Sequence, residues 1–294
     1  MGIILRRNRA DMTTITLIGA PIEEGSGRRG AAMGPTALRI AGIDTVLRDL
    51  GHTVHDEGDV KPLPARDLAN HPGANNLQIV AAFARALHDS VHDTVRKGHF
   101  PIILGGDHAL SMGSVSGMAR YAADVGRPLF VLWLDAHADF NSPSTSPSGN
   151  MHGMPVAFFC GQAEFAPILP SDRPLVDPTK VFQVGIRSVD DREREEIAEH
   201  GVRVYDMRAV DELGMAHIMR QILEEVRAAN GLLHVSLDVD FMDPDLAPGV
   251  GTTVPGGATF REAHLIMEML WESGLVSSLD VVELNPFLDD RGKS

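Results

Sequence analysis

The sequence predicts an α/β protein, a single three-layer domain with a mostly parallel central sheet flanked by helices. Two observations lead to this prediction. Short apolar runs, typical of strands buried on both faces of a parallel sheet, alternate along the chain with longer segments of helical periodicity. The chain has 294 residues and is 44% hydrophobic, which is ample for one large core. We expect residues 12–294 to form one domain that follows a flexible extension of residues 1–11.

The apolar runs and the helical periods give an order of elements. Strands are predicted at residues 14–21, 53–54, 101–104, 129–134, 180–186, 232–237 and 279–284. Helices are predicted at residues 36–50, 77–97, 191–200 and 211–230, and a further helix follows His108. A capping box opens the last helix, at Thr259 and Glu262, and that helix is expected to end near Gly274. Residues 56–76, rich in Pro, Asp and Asn, are expected to form a surface loop.

Side chains that can bind metal follow several of these strands. Asp135, His137 and Asp139 come directly after the strand at 129–134, and they would project to one side if the backbone stayed extended. Ligand sites of parallel sheets lie at the carboxyl ends of the strands, so we expect the polar residues of several strands to converge. The full set is His108, Asp135, His137, Asp139, Asp238 and Asp240.

Two imidazoles and four carboxylates form a ligand set for two ions. A set rich in carboxylate and free of thiolate favours cations of the Mn²⁺ type, with Zn²⁺, Co²⁺ and Fe²⁺ as alternatives. Two such ions can share one water molecule and lower its pKa. The sequence therefore predicts metal-assisted hydrolysis.

Composition argues against several other classes of protein. The formal charge of −14 disfavours nucleic-acid binding, because a phosphate backbone would repel such a surface. The glycine-containing loop at residues 23–35 lacks both GxGxxG and the Walker ending, so nucleotide binding is not expected. A single cysteine, Cys160, suits a reducing compartment and a core position. Without a signal peptide or a long apolar run, we expect a cytoplasmic protein with no membrane partner.

Six sequence fragments, taken in order, resemble the ureohydrolase superfamily and most closely the bacterial arginases. They are IGAP, GGDH, DAHADFN, SPSGNMHG, SLDVDFMDP and ELNP. The resemblance spans nearly the whole chain. It departs at Phe241-Met242, where many arginases have Gly-Leu, at Thr253, where many have Pro, and after Ser294, where one more helix is expected.

The resemblance implies a set of roles for the strand-end residues. Two Mn²⁺ ions per subunit are implied, with Co²⁺ or other divalent ions as substitutes. One ion would be held by His108, Asp135, Asp139 and Asp238, and the other by Asp135, His137, Asp238 and Asp240. A hydroxide that bridges the two ions would attack the guanidinium carbon of the substrate. Glu283 would orient the guanidinium group, and His152 would shuttle protons.

The resemblance also implies the substrate, L-arginine, which would be converted with water to L-ornithine and urea. The α-carboxylate would be recognised by Asn141, Ser148 and Asn150. The α-amino group would be recognised by Asp190 and Glu193, with Thr252 near the guanidinium. Two alternatives stay open, namely an agmatinase or guanidinobutyrase and a catalytically silent metal-binding homologue. The family also implies a homotrimer or a homohexamer.

Overall fold

The central sheet contains parallel strands only. A computed structural model describes residues 13–64, 68, 71–165 and 173–294 of the chain. The strands are β1 Thr14–Ala20, β2 Thr53–Asp59, β3 Phe100–Gly105, β4 Leu129–Leu134, β5 Val181–Ile186, β6 Arg203–Asp206, β7 Leu232–Asp238 and β8 Val276–Val282. Within the described residues these eight strands form one sheet, in the order β2-β1-β3-β8-β7-β4-β5-β6. Every pairing is parallel, which confirms the predicted fold class. The extension predicted for residues 1–11 lies outside the described residues.

Helices cover both faces of the sheet. They are α1 Gly34–Ile40, α2 Ile43–Asp49, α3 Leu77–Arg96, α4 Ser111–Asp124, α5 Pro155–Phe159, α6 Asp191–His200, α7 Met207–Leu213, α8 Met215–Ala228 and α9 Phe260–Ser273. Strand β4 shows how the layers separate. Val131 and Trp133 pack into the core beneath α3, α4 and α5, whereas Phe130 and Leu132 pack beneath α7, α8 and α9. Alternate side chains of a strand point to opposite faces, and both faces are apolar here because both are covered.

Two helices that were predicted to be continuous are each divided at a glycine. The segment 36–50 forms α1 and α2, because Gly42 has a φ of 88° and begins a new helix. The segment 211–230 is divided between α7 and α8 at Gly214, which has a φ of 81°. Glycine adopts this left-handed conformation without steric cost. Apolar periodicity continues across both breaks, so periodicity alone did not show them.

The outer strands also differ from prediction. β2 continues to Asp59, into the segment 56–76 that was predicted to be a loop, and the edge strand β6 was not predicted at all. Both are polar strands at the two edges of the sheet, where one side of the strand has no neighbour to cover it. None of the described helices is both long enough and apolar enough to span a membrane.

Candidate active site

The predicted ligands come together at the carboxyl ends of the central strands. β3, β8, β7 and β4 are consecutive neighbours in the sheet, and the chain leaves three of them through the segments that carry the ligands. His108 begins a short 3-10 turn after β3. Asp135 directly follows β4, and Asp238 is the last residue of β7. The convergence that was predicted from the βαβ pattern is therefore present.

The local geometry is not the extended one that was expected for these residues. β4 ends at Leu134, and Asp139 has a φ of 50°. The Oδ1 atom of Asp135 accepts a hydrogen bond from the backbone N–H of His137 at 2.7 Å. Likewise, Asp238 Oδ1 accepts from the N–H of Asp240 at 2.8 Å and begins a 3-10 turn. Asp135 and Asp238 thus each stabilise a turn in the segment that follows them. These turns, and not the alternation of side chains along an extended strand, bring the predicted ligands together.

The surroundings of the Nδ1 atom of His108 suit a metal ion better than a hydrogen bond. Its Nδ1 atom lies 3.0 Å from Asp135 Oδ2 and 3.2 Å from both Asp139 Oδ2 and Asp238 Oδ2. Within the described residues, however, His108 Nδ1 and Asp135 Oδ2 are buried without a hydrogen-bond partner. Buried polar atoms are nearly always paired, and these two residues belong with Asp238 to one compact group of possible ligands. They are therefore placed as metal ligands would be.

A second group lies beside the first. His137 Nδ1 is 3.0 Å from Asp240 Oδ2 and 3.5 Å from Asp135 Oδ1. Each of two ligand groups, His108 with Asp135 and Asp238, and His137 with Asp135 and Asp240, is compact enough to hold one ion. Since Asp135 belongs to both groups, the two ions would be neighbours.

The pKa shifts of the clustered carboxylates also favour a site for cations. Burial, together with the charges of Asp240 and Asp135, raises the pKa of Asp238 well above its usual value. Burial and the charge of Asp135 raise the pKa of Asp240 to about 7. Burial would also raise the pKa of Asp135, but His108 and His137 outweigh this effect and lower it. Anions packed this closely repel one another, and divalent cations would remove the repulsion.

A cavity of about 260 Å³ opens over the ligand groups, and the catalytic and substrate-binding residues predicted from the sequence line it. They are Asn141, Ser148, Asn150, His152, Asp190, Glu193, Thr252 and Glu283. Of the predicted metal ligands, His108, His137, Asp139, Asp238 and Asp240 also line it. Asp135 is fully buried behind them. Amide and hydroxyl donors and acidic acceptors therefore share one cavity with the metal-binding groups.

The acidic residues of this cavity are fixed at the start of α6. Asp190 and Glu193 form its capping box, in which Glu193 accepts a hydrogen bond from the backbone N–H of Asp190. Glu193 also accepts from the N–H of Phe140 at 2.8 Å, and burial raises its pKa to about 7. Asp190 Oδ2 accepts from the amide of Asn141 at 3.1 Å. The residues predicted to bind the α-amino and α-carboxylate groups of the substrate are thus hydrogen-bonded to one another.

His152 and Glu283 form a pair at the cavity wall. His152 Nδ1 lies 2.9 Å from Glu283 Oε1, which also accepts the backbone N–H of His108 at 2.9 Å. Burial would lower the pKa of His152, but Glu283, Asp107 and Asp139 raise it to about 9. Burial would raise the pKa of Glu283, but the charge of His152 lowers it. The last strand was predicted to include Glu283, but β8 ends at Val282, and Glu283 has a φ of 64°.

Two residues that support the site were not identified as functional from the sequence. Asp107 Oδ2 accepts the backbone N–H groups of Gly25 and Ser26 and so holds that loop against the cavity. The position of Asp107 next to His108 in the sequence could have indicated that it supports the site. Trp133 stacks on the ring of His108, with centroids 4.0 Å apart and planes 4° from parallel. Because this contact depends on the pairing of β3, β8, β7 and β4, no local pattern indicated it.

Comparisons with known proteins agree with this geometry. Residues 13–294 match the sequence profile of the Arginase family. An arginase of Brucella melitensis is 54% identical over 280 residues, which cover 95% of this chain and 91% of that protein. An arginase of Agrobacterium fabrum is 49% identical over 290 residues, 98% of this chain and 89% of that protein. A solved structure of the arginase from Bacillus caldovelox has 40% sequence identity and a TM-score of 0.86, and the match covers 96% of this chain and 94% of that one.

Proposed function

Since this chain belongs to the arginase family, we propose that it is a hydrolase that converts L-arginine and water to L-ornithine and urea. The observation that carries the proposal is the cavity. Two compact groups of imidazole and carboxylate lie at its base and share Asp135, and its walls carry donors for a carboxylate and acceptors for an ammonium. L-Arginine offers all three counterparts, a guanidinium, a carboxylate and an ammonium group.

We propose that the base of the cavity holds two Mn²⁺ ions per subunit. The ligands would be His108, Asp135, Asp139, Asp238, His137 and Asp240. When bound, two divalent cations lower the pKa of a shared water from about 15.7 toward neutrality and so supply the nucleophile. The unpaired, buried Nδ1 of His108 and Oδ2 of Asp135 support this assignment.

The remaining residues act on the substrate. Glu283 would hold the plane of the guanidinium group against the nucleophile, which matters because resonance makes its carbon a poor electrophile. His152 would move protons between solvent and the leaving amine. The contact of His152 with Glu283 supports this role, because Glu283 is the carboxylate proposed to orient the guanidinium group.

Specificity for arginine over agmatine would come from the cavity wall. Agmatine lacks the α-carboxylate and would forgo the hydrogen bonds of Asn141, Ser148 and Asn150, and the loss would be greatest at Asn141, which is buried, whereas Asn150 is half-buried and Ser148 is exposed. Asp190 and Glu193 would bind the α-amino group, and Thr252 would lie near the guanidinium. Carboxylates suit an ammonium, and neutral amide and hydroxyl groups suit a carboxylate.

Three further points of the proposal rest on the family alone. The enzyme would assemble as a homotrimer or homohexamer, accept Co²⁺ in place of Mn²⁺, and act in the cytoplasm in arginine metabolism and the urea cycle.

Urea release tests the proposal directly. The protein is reconstituted with Mn²⁺ and assayed with L-arginine, agmatine and 4-guanidinobutyrate at equal concentrations. We expect urea from L-arginine in preference to the other two. His152→Asn should lose activity, whereas His264→Asn, which changes an exposed histidine of α9, should keep it. A preference for agmatine or guanidinobutyrate would refute the proposal that L-arginine is the substrate. Bound Mn²⁺ with no urea from any of the three would indicate a silent homologue.

A further inference from the structure

A chain of buried polar side chains runs from His108 into the core, on the side away from the cavity. It is formed by α4, β7 and β8, and each of its members is at most 1% exposed. The members are His108, Ser236, Ser111, Asp280, Ser114, His234 and Ser278. Polar groups in such a core are costly unless they are paired. We therefore expect this buried chain of polar side chains to have a role in the site.

Asp280 is the acceptor at which the branches of this chain end. Its Oδ2 atom accepts the hydroxyl protons of Ser111 at 2.8 Å and of Ser114 at 2.5 Å. His234 Nε2 lies 3.2 Å from the same oxygen. A carboxylate can only accept hydrogen bonds, so all three neighbours must donate to it.

This end point sets the direction of the other hydrogen bonds. Each serine hydroxyl has one proton, and that of Ser111 is committed to Asp280. Ser111 can therefore only accept from Ser236, whose Oγ lies 3.4 Å away. A proton given by Ser236 to Ser111 leaves the Ser236 oxygen to accept from His108 Nε2, at 2.9 Å. The proton of His108 is then on Nε2.

The consequence appears at the other ring nitrogen. With hydrogen on Nε2, the neutral imidazole has its free electron pair on Nδ1, which is the atom that faces Asp135, Asp139 and Asp238. We propose that Asp280 is a positioning residue that acts through Ser111 and Ser236 to hold His108 as an Nδ1 metal ligand. The inference rests on the proposed metal centre and adds to it a residue that touches neither ion nor substrate.

The other branch of the chain provides a matched control. Ser278 Oγ lies 2.7 Å from His234 Nδ1, on the side of His234 that faces away from Asp280. Ser278 is as buried as Ser111, and each contributes a hydroxyl to the same network. Ser278→Ala and Ser111→Ala should therefore cost similar amounts of stability. Only Ser111→Ala interrupts the path from Asp280 to His108.

The experiment measures metal binding rather than turnover. The full-length wild type, Ser111→Ala, Asp280→Asn and Ser278→Ala are stripped of metal and titrated with Mn²⁺ alone. Free Mn²⁺ and the spectrum of spin-coupled pairs are followed by electron paramagnetic resonance. Loss of a group that orients a metal-bound histidine typically weakens binding by about 10–100-fold. We expect a loss of this size for one of the two ions in Ser111→Ala and Asp280→Asn, with the coupled spectrum replaced by that of isolated Mn²⁺.

Ser278→Ala should bind both ions as the wild type does, while losing as much thermal stability as Ser111→Ala. Wild-type affinity and a coupled spectrum in Ser111→Ala would overturn the inference, and so would an equal loss of Mn²⁺ in Ser278→Ala. If Asp280→Asn does not fold, Ser111→Ala decides alone. A wild-type protein that binds no Mn²⁺ pair would instead refute the proposed function.

Discussion

Replacing Gly73 with alanine is expected to weaken the binding of L-arginine while leaving the proposed metal centre intact. A Cβ atom at Gly73 would lie 1.8 Å from the backbone oxygen of Pro143, which belongs to the loop that carries the proposed carboxylate readers. Two residues later, Asn75 donates its backbone N–H to Gly149 O at 2.8 Å and its amide to Asn150 Oδ1 at 3.2 Å. The two loops are therefore packed and bonded together at the mouth of the cavity.

The size of the effect follows from the distance. Ordinary contact for a Cβ atom begins at 3.4 Å, so the loops must separate by about 1.6 Å at this point. A displacement of about 1 Å at a binding site can cost on the order of 10²-fold in rate. Overpacking of this kind costs about 1–3 kcal/mol of folding stability. We expect kcat/KM for L-arginine to fall roughly 10–100-fold, mainly through KM, because the displaced loop carries the residues proposed to bind the amino-acid end of the substrate.

Steady-state urea release and bound Mn²⁺ are measured together with thermal unfolding. Gly98→Ala serves as the control. Gly98 has a φ of 77°, and apart from its neighbours in the chain no described residue lies within 4 Å of an added Cβ, so alanine there is strained but does not touch the cavity. That strain is worth about 1–2 kcal/mol. If Gly73→Ala keeps the wild-type KM, or if Gly98→Ala raises KM equally, the coupling between the two loops is refuted.

Three further outcomes are expected. Asp135→Asn and Asp238→Asn should each remove bound metal and activity together, as measured by Mn²⁺ content and urea release, and two retained ions in either variant would contradict the bridging role. Burial raises the pKa of the partly buried Cys160 thiol, so at pH 8 it should react with a disulfide reagent far more slowly in the folded protein than after unfolding, and equal rates would contradict the raised pKa. Burial would lower the pKa of His152, but Glu283 raises it from 6.5 to about 9, so this pair stabilises the metal-free fold fully below pH 6.5, and the contribution disappears as the pH rises through 9. Urea denaturation of the wild type and His152→Gln should therefore converge across this range, and parallel curves would exclude the contribution.

The sequence by itself determined the central strands and the identity of the polar residues that follow them. β4 was predicted with its observed bounds, and β3, β5 and β7 to within a residue at each end, because strands buried on both faces are continuous apolar runs. Since those strands are parallel, their carboxyl ends meet at one edge. For that reason His108, Asp135 and Asp238 could be grouped from their positions in the sequence alone.

Other features depended on contacts that are distant in sequence. The breaks at Gly42 and Gly214 leave the apolar periodicity intact, and the polar edge strands β2 and β6 lack the signal of a buried strand. The turns of the ligand segments arise when Asp135 and Asp238 accept backbone N–H groups two residues ahead, which only the folded backbone reveals. The path from Asp280 to His108 joins residues 172 positions apart through Ser111 and Ser236. Residue type decided which atoms can bind a metal, whereas the pairing of β3, β8 and β7 decided which nitrogen of His108 faces Asp135, Asp139 and Asp238.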